Sequence, residues 1–374
     1  MPNAHIVGWG KYLPGKPITT ADLAIRNEID LDAEKIADRT GIHQRHFAGE
    51  KDSTSTLAIQ AAHAALEMAN VDPAKLDLII LGTNSPDNLF PATAFRVQAA
   101  LGAIHAGAFD LSAGCPGFLY GLIVAGQFIR AGAYKTILVI GADCVSVALN
   151  PKDPGTCAYF GDGAGAVVLA AREDAGGLQG FTLGADGSGA DLLVLPAGGS
   201  RLPLNHEVLD QGLQYGRMDG GALYRFGTRA EHTAATEALK HSGLTVEDVD
   251  LFIPHQSNAR LIQQVASGLK IPPEKVFVNI DRYANTSAAA LPLALCDAVD
   301  EGRLKPGDHV LLAAYGAGLA WAGAVVQWDV PTPVKPLPGL RRAWHAILGF
   351  VARQRTRLLR LSHWLDRFGG RPQS

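Results

Sequence analysis

LEMANVDPAKLDLIILGTNSPD, residues 66–87, can be laid without a gap over LKHSGLTVEDVDLFIPHQSNAR, residues 239–260. Each reads as a helix end, a turn with acidic surface residues, an apolar run of strand length, then a polar loop. The offset is 239 minus 66, or 173 residues. The echo continues further along. YKTILVIGADC from Tyr134 resembles GDHVLLAAYGAG from Gly307, and FGDGAGAVVLA from Phe160 has a weaker counterpart in GLAWAGAVVQW from Gly318. The pattern predicts strands at 76–81, 136–141, 164–170, 249–253, 276–280 and 309–314. Helices are predicted at 56–68, 117–131, 230–242, 260–269 and 287–301. Strands alternating with helices of this length imply a layered α/β fold, here one built of two duplicated halves. The expected organisation is a first half over 1–175, an irregular insertion over 176–227, a second half over 228–328 and a C-terminal extension over 329–374. A long irregular insertion forms a binding rim, meets a partner or moves; its glycines alone do not decide among these.

Of the 374 residues, 47% are hydrophobic and 18% charged, which excludes general disorder. The net charge of -3 hides an asymmetry. Residues 329–374 hold nine basic and two acidic side chains, so 1–328 holds 24 basic and 34 acidic, a net of -10. So acidic a body is a poor nucleic-acid groove, and no nucleic-acid partner is expected. The four cysteines, Cys115, Cys144, Cys157 and Cys296, form no CxxC pair and too sparse a set for a disulfide scaffold. MPNAHIVGWG at the start has no basic run followed by an apolar core, and no apolar run approaches the length of a spanning helix, so neither a signal peptide nor a membrane span is expected, and a cytoplasmic protein is.

Three residues stand where chemistry is usually found. In FDLSAGCPGFLYGLIVAGQFIRAG, residues 109–132, an apolar strand runs into a tight turn, and Pro116 and Gly117 then open a helix. Cys115 is thereby placed at a helix start, where partial positive charge favours a thiolate. An inert core thiol is the commoner fate of a cysteine, but the strand–turn–helix setting favours a reactive one. His255, in DLFIPHQSNARLI, follows a predicted strand and enters a polar turn; it either satisfies loop hydrogen bonds or reaches a substrate carbonyl at the carboxyl end of the sheet. Asn285, in NIDRYANTSAAALPLAL, reads by itself as a helix cap. If the halves pack face to face, the three junctions converge on one cavity. The glycine-rich words GWGKYLPG and FGDGAGA match no nucleotide-binding pattern, and no metal-ligand spacing is present, so no metal is expected. FGDGAGA instead predicts close backbone packing, with Asp162 bonded to loop amides.

The words RTGIHQR from Arg39, DLSAGCPGF from Asp110, FGDGAGAVVL from Phe160, HQSNARL from His255 and ANTSAAAL from Ala284 occur in this order across residues 1–328. Together they resemble the β-ketoacyl-acyl-carrier-protein synthase III family of the thiolase superfamily. The resemblance implies a thiolase-like layered α-β-α-β-α fold and a decarboxylative Claisen condensation in fatty-acid or polyketide-like biosynthesis. Cys115 would accept the acyl group, His255 and Asn285 would promote decarboxylation, and the backbone N–H groups of Cys115 and Ala317 would hold the oxyanion. Ala317 stands where the family usually has glycine. No permanently bound cofactor is implied; acyl-coenzyme A or acyl-carrier-protein thioesters are substrates. The alternatives are condensation without decarboxylation and acyl transfer without a new carbon–carbon bond.

The resemblance also implies a homodimer, with Phe90 reaching the partner's acyl pocket, and an acyl carrier protein as partner. Arg39 and Thr40 would contact the nucleotide or pantetheine arm, and Arg225 and Arg260 the carrier's phosphate or acidic helix. Lys35 and Pro154 replace the tryptophan and arginine that clasp adenine in the family, which favours a carrier-borne donor over coenzyme A. Residues 329–374 read as a basic amphipathic helix after a proline-rich junction, with Trp344, Ile347, Val351, Leu358 and Leu361 in one stripe. Three fates are open to it: packing on the body, docking an acidic protein, or lying peripherally on anionic lipid.

Overall fold

TILVIGAD, at Thr136–Asp143, is apolar towards both sides of its strand, which calls for helices on each face of the sheet that holds it. A computed structural model, describing residues 1–330, shows where they come from. Five strands, β1 (Asn3–Tyr12), β2 (Leu78–Gly82), β3 (Gly107–Leu111), β4 (Thr136–Asp143) and β5 (Gly163–Arg172), form one sheet in the order β1-β5-β4-β2-β3. Four more, β6 (Gly177–Ala185), β7 (Leu251–Pro254), β8 (His309–Gly316) and β9 (Ala320–Gln327), form a second in the order β7-β8-β9-β6. In each sheet two antiparallel pairings are followed by parallel ones: β1/β5/β4 then β2 and β3, and β6/β9/β8 then β7. The doubling read from the sequence is thus a doubling of topology. Strand starts confirm the offset, since 251 minus 78 and 309 minus 136 both give 173.

The period-2 alternation of the strands sorts their side chains into layers. Ile137 and Val139 of β4 face Phe118 and Leu122 of α2, where α1 is Thr54–Ala69 and α2 is Gly117–Arg130. That cluster also contains Val310 and Leu312 of β8 and, with α3 at Gly220–Ser242, α4 at Ala259–Leu269 and α5 at Ala290–Asp300, Leu291 and Leu295 of α5. Leu138 and Ile140 face the other way, onto Leu57, Ala61 and Ala65 of α1. Leu311 and Ala313 of β8 likewise pack outward on Ala234 and Ala238 of α3 and on Leu261 and Val265 of α4. The result is helix, sheet, helix, sheet, helix, with α2 and α5 buried in the middle. This is the layered thiolase-like fold that the motifs implied.

Two expectations need correction, and another falls outside the described residues. The segment 176–227 is not irregular throughout: it opens with β6, which completes the second sheet, and α3 begins at Gly220. Part of this segment therefore belongs to the second sheet. Second, the strand expected over 276–280 is reduced to a single parallel bridge between Val276 and Phe252, followed by a helical turn at Ile280–Tyr283. The Gln256 side chain takes over the ladder there, donating to the Phe277 carbonyl at 3.1 Å and accepting the Asn279 N–H at 2.9 Å. The first sheet has β3 at the matching edge; the second has this side-chain substitute. The extension from residue 331 onward lies outside the described residues, and with it the amphipathic stripe and its three expected fates. Among the described residues, no helix is long and apolar enough to cross a membrane.

Candidate active site

Cys115 sits where β3 turns into α2. The turn depends on Gly114, whose φ is +65° and whose missing side chain lets the Ala317 carbonyl approach; a Cβ there would lie 2.4 Å from that oxygen. This close approach brings Ala317, in the loop after β8, against the nucleophile candidate. Ser287 Oγ lies 3.8 Å from the thiol sulfur, and the backbone N–H groups of Cys115 and Ala317 favour its anionic form. Ala317 is not among the described residues with positive φ, so its methyl group adds no backbone strain where the family usually has glycine. The thiolate expected from the helix start is not the resting form. Burial pushes the thiol up to about 11; the Ser287 contact and the two N–H groups oppose this, and the negative charge of Asp143 adds to it.

His255 follows β7, buried, with its own N–H donated to the Ala313 carbonyl at 2.8 Å and to Glu231 Oε1 at 2.9 Å. The Tyr315 ring meets the imidazole at a near-perpendicular angle, with centroids 5.7 Å apart. Burial drives the imidazole down to about 3, so it is neutral at working pH. Asn285 comes from the loop before α5 and is pinned by its backbone: its N–H donates to the Tyr159 carbonyl and its carbonyl accepts from Gly161 N–H, both at 3.0 Å. Its side-chain Oδ1 accepts the Ser287 N–H at 2.9 Å. Ala284 and Ser287, on either side, hold positive φ values of 57° and 55°, strain of the kind that clusters at functional sites. Cys115, His255 and Asn285 line one cavity together with Phe160, Leu193, Met218 and Leu223. The three junctions therefore do converge, and Leu193 and Met218 make part of segment 176–227 a rim of that cavity.

On the other side of Cys115 a second, apolar cavity of about 300 Å³ extends past Ala317 to Val145, Ala148, Leu149, Val194 and Leu195. FGDGAGA behaves as its glycines suggest, with Asp162 accepting the Ala48 and Ser146 N–H groups at 2.7 and 2.9 Å. Arg39 and Arg260 are exposed and share one edge: Asn258 Nδ2 donates to the Arg39 carbonyl, and Arg260 Nε to that of Asp38. Arg225 is exposed on α3, next to cavity-lining Tyr224. Thr40 is put to another use than the substrate contact expected of it. It is buried, and its hydroxyl donates to the Ile36 carbonyl and accepts from Ile42 N–H. Lys35 and Pro154 are exposed, and Phe90 is 86% exposed. His5, Asp174 and Asp329 form the metal-ligand-like grouping among the described residues; none lines either cavity.

The site also contains residues that motif reading passed over. Asp143, fully buried at the end of β4, accepts hydrogen bonds from Thr83, Asn84 and Ser85 after β2 and from the Ala288 N–H beside Asn285. Glu231 is buried against the backbone of His255. The signal for Glu231 was a carboxylate in the stripe Gly227, Glu231, Ala234, Ala238, which is otherwise all small residues.

Comparison with known proteins bears on the whole body. A family model described as "3-Oxoacyl-[acyl-carrier-protein (ACP)] synthase III" matches residues 109–187, and its C-terminal counterpart matches 239–328. The chain is 47% identical over 326 residues to a β-ketoacyl-[acyl-carrier-protein] synthase III of Caldanaerobacter subterraneus subsp. tengcongensis, covering 87% of this chain and 98% of that protein. Against the protein of the same name from Roseiflexus sp. it is 47% identical over 325 residues, with the same coverage. The crystal structure of 3-oxoacyl-[acyl-carrier-protein] synthase III from Aquifex aeolicus VF5 superposes with a TM-score of 0.79 at 42% identity, over 87% of this chain and 100% of that one. Identity of this order, spread over nearly the full length of each relative, places the chain in the β-ketoacyl-acyl-carrier-protein synthase III family, thiolase-fold acyltransferases that carry out decarboxylative Claisen condensation.

Proposed function

We propose that Cys115 carries the acyl group of this condensation and that His255 and Asn285 generate the attacking enolate. The observation that carries the reading is the meeting of all three side chains in one cavity, with two backbone N–H groups that favour the anionic sulfur. An incoming acyl thioester exchanges with Cys115: the new thioester forms on Sγ, and the donor leaves as its thiol with the Cys115 proton. The second substrate is a malonyl-type thioester. Its carbon–carboxylate bond breaks to release carbon dioxide, and negative charge develops on the thioester oxygen, where His255 Nε2–H and the Asn285 amide donate. The resulting carbanion attacks the acyl carbon. The tetrahedral oxyanion is held by the Cys115 and Ala317 N–H groups until it collapses and returns the Cys115 thiolate. The apolar 300 Å³ cavity beside Cys115 supports an aliphatic acyl chain as cargo.

The donor is proposed to arrive on acyl carrier protein, because neither Lys35 nor Pro154 can sandwich an adenine and Arg39, Arg225 and Arg260 are exposed near the cavity. A second copy of the chain is proposed to cover the sheet edge at β3 and the exposed Leu89 and Phe90. Intact-protein mass spectrometry tests the central assignment: Cys115→Ala forms no acyl adduct, and an adduct of unchanged yield refutes it. His255→Ala and Asn285→Ala still acylate but release carbon dioxide more slowly, by roughly 2.7 to 4 kcal/mol in barrier for each lost donor. Carbon dioxide release at the wild-type rate in both removes them from the mechanism.

A further inference from the structure

Against the backbone of His255 lies a buried carboxyl group that no motif points to. Glu231 is fully buried on α3, and its Oε1 accepts a His255 N–H that the Ala313 carbonyl already takes. Its Oε2 has no partner, and neither has Nδ1 of His255. Two of the buried side-chain atoms left unpartnered among the described residues thus belong to one hydrogen-bonded pair. Unpartnered buried polar atoms are costly, and a proton shared between these two would satisfy both. The Glu231 carboxyl is already held to the His255 backbone N–H, so its second oxygen belongs to the same residue pair as the unpartnered Nδ1.

The surroundings decide where that proton starts. No cation is paired with Glu231, and burial holds its carboxyl well above the usual carboxylate range, so the group is a neutral acid with one O–H to give. The imidazole is also neutral and carries a single N–H. The other titratable groups about the pair are Tyr315, whose hydroxyl is tied to Ser257 Oγ at 3.0 Å, and Cys115 across the cavity. In a neutral imidazole, the partner of one nitrogen fixes which nitrogen bears the proton.

We propose that Glu231 is a positioning residue for the condensation: its carboxyl O–H donates to His255 Nδ1 and so keeps the imidazole N–H on Nε2, facing the thioester oxygen. This rests on the role proposed above for His255. It assigns a second task to the helix that lines the cavity, and it differs from the arrangement in which a carboxylate anion accepts from Nδ1–H.

Two variants and one spectrum test it. Glu231→Gln keeps a donor for Nδ1 and an acceptor for the His255 N–H, whereas Glu231→Leu keeps neither. Glu231→Leu is expected to lower kcat for malonyl-thioester decarboxylation roughly tenfold, the upper range for one neutral hydrogen bond, with KM and Cys115 acylation little changed. Glu231→Gln is expected to stay within about threefold of wild type. Imidazole 15N NMR should show the Nε2–H form in wild type and Glu231→Gln, and a tautomer mixture in Glu231→Leu. An Nδ1–H form in the wild-type protein overturns the proposal even if the leucine variant fails to fold. So does a glutamine variant as slow as the leucine one, or a leucine variant with wild-type kcat and tautomer. His255→Ala run in parallel separates the two levels. If it alone is slow, only the role of Glu231 falls; if it releases carbon dioxide at the wild-type rate, the reading of the site falls with it.

Discussion

Burial moves Cys115, His255 and Glu231 each towards its neutral form. For Cys115 this outweighs the helix start and the two N–H groups that favour the thiolate. With burial pushing the thiol up to about 11, the neutral thiol is the favoured form at pH 7. Alkylation of Cys115 by iodoacetamide should therefore keep accelerating above about pH 9, and a plateau near neutrality would contradict a thiol raised by burial. Glu231 gives a test on stability. Above the ordinary glutamate value of 4.5, the unfolded chain has released a proton that the native state still binds, so this group's contribution to stability falls as pH rises. Glu231→Gln does not titrate. Its advantage over wild type should widen as pH rises above the ordinary glutamate value, by up to about 1.4 kcal/mol per pH unit, in thermal melts. A gap that does not change with pH would mean that Glu231 is not held neutral. Cys115, His255 and Asn285 were legible because each ends a strand or opens a helix inside a distinctive word. Glu231 was not, because a stripe of Gly and Ala around it reads as core, and depth of burial is a property of the assembled layers.

Asp143 shows how whole elements are joined at the site. It ends β4, the central strand of the first sheet, and its carboxylate gathers donors from the loop after β2 and from the N–H of Ala288 beside Asn285. One buried side chain therefore ties the nucleophile's sheet to the loop that carries Asn285, across the boundary between the halves. Asp143→Ala would leave these donors without a partner in the interior, at a cost of about 3 kcal/mol or more. Urea denaturation should show the loss as a lower midpoint; a midpoint within experimental error of wild type would deny Asp143 this linking role. The legibility of the elements follows their side chains. LIILG and TILVIGAD were read as strands because they are apolar on both faces. NAHIVGWGKY and GLQGFTLGA were passed over, since glycines and polar residues break both the apolar run and the alternation; their strands exist because a neighbouring strand supplies the register. Val276–Ile280 erred the other way. Its residues favour a strand, but Gln256 supplies the next hydrogen bonds, and one bridge is all that forms.

At the scale of the molecule, the described residues close a complete five-layer core, and its last contacts mark where the body ends. Trp328 is buried and stacks at a tilt on Trp9 of β1, with ring centroids 5.1 Å apart. Asp329 then pairs with the fully buried His5 and, at 3.4 Å, with Arg172 of β5. Both anchors hold the segment after β9 to the first sheet, so the end of the second half is fastened to the start of the first. Removing residues 331–374 leaves every one of these contacts in place. That truncation is expected to keep the thermal midpoint of the body within about 2 °C and to leave acylation of Cys115 unchanged, since the Trp328 and Asp329 anchors are retained. Truncation two residues earlier, after Trp328, is a different perturbation. It deletes the carboxylate from His5, leaves a buried imidazole without its partner, and should cost about 1 to 3 kcal/mol. Differential scanning fluorimetry on the two truncations, with acyl-adduct mass as the functional readout, separates these outcomes. Equal midpoints would remove the Asp329 anchor from the account, and a body that unfolds in both would show that residues beyond 330 belong to the fold of the synthase itself.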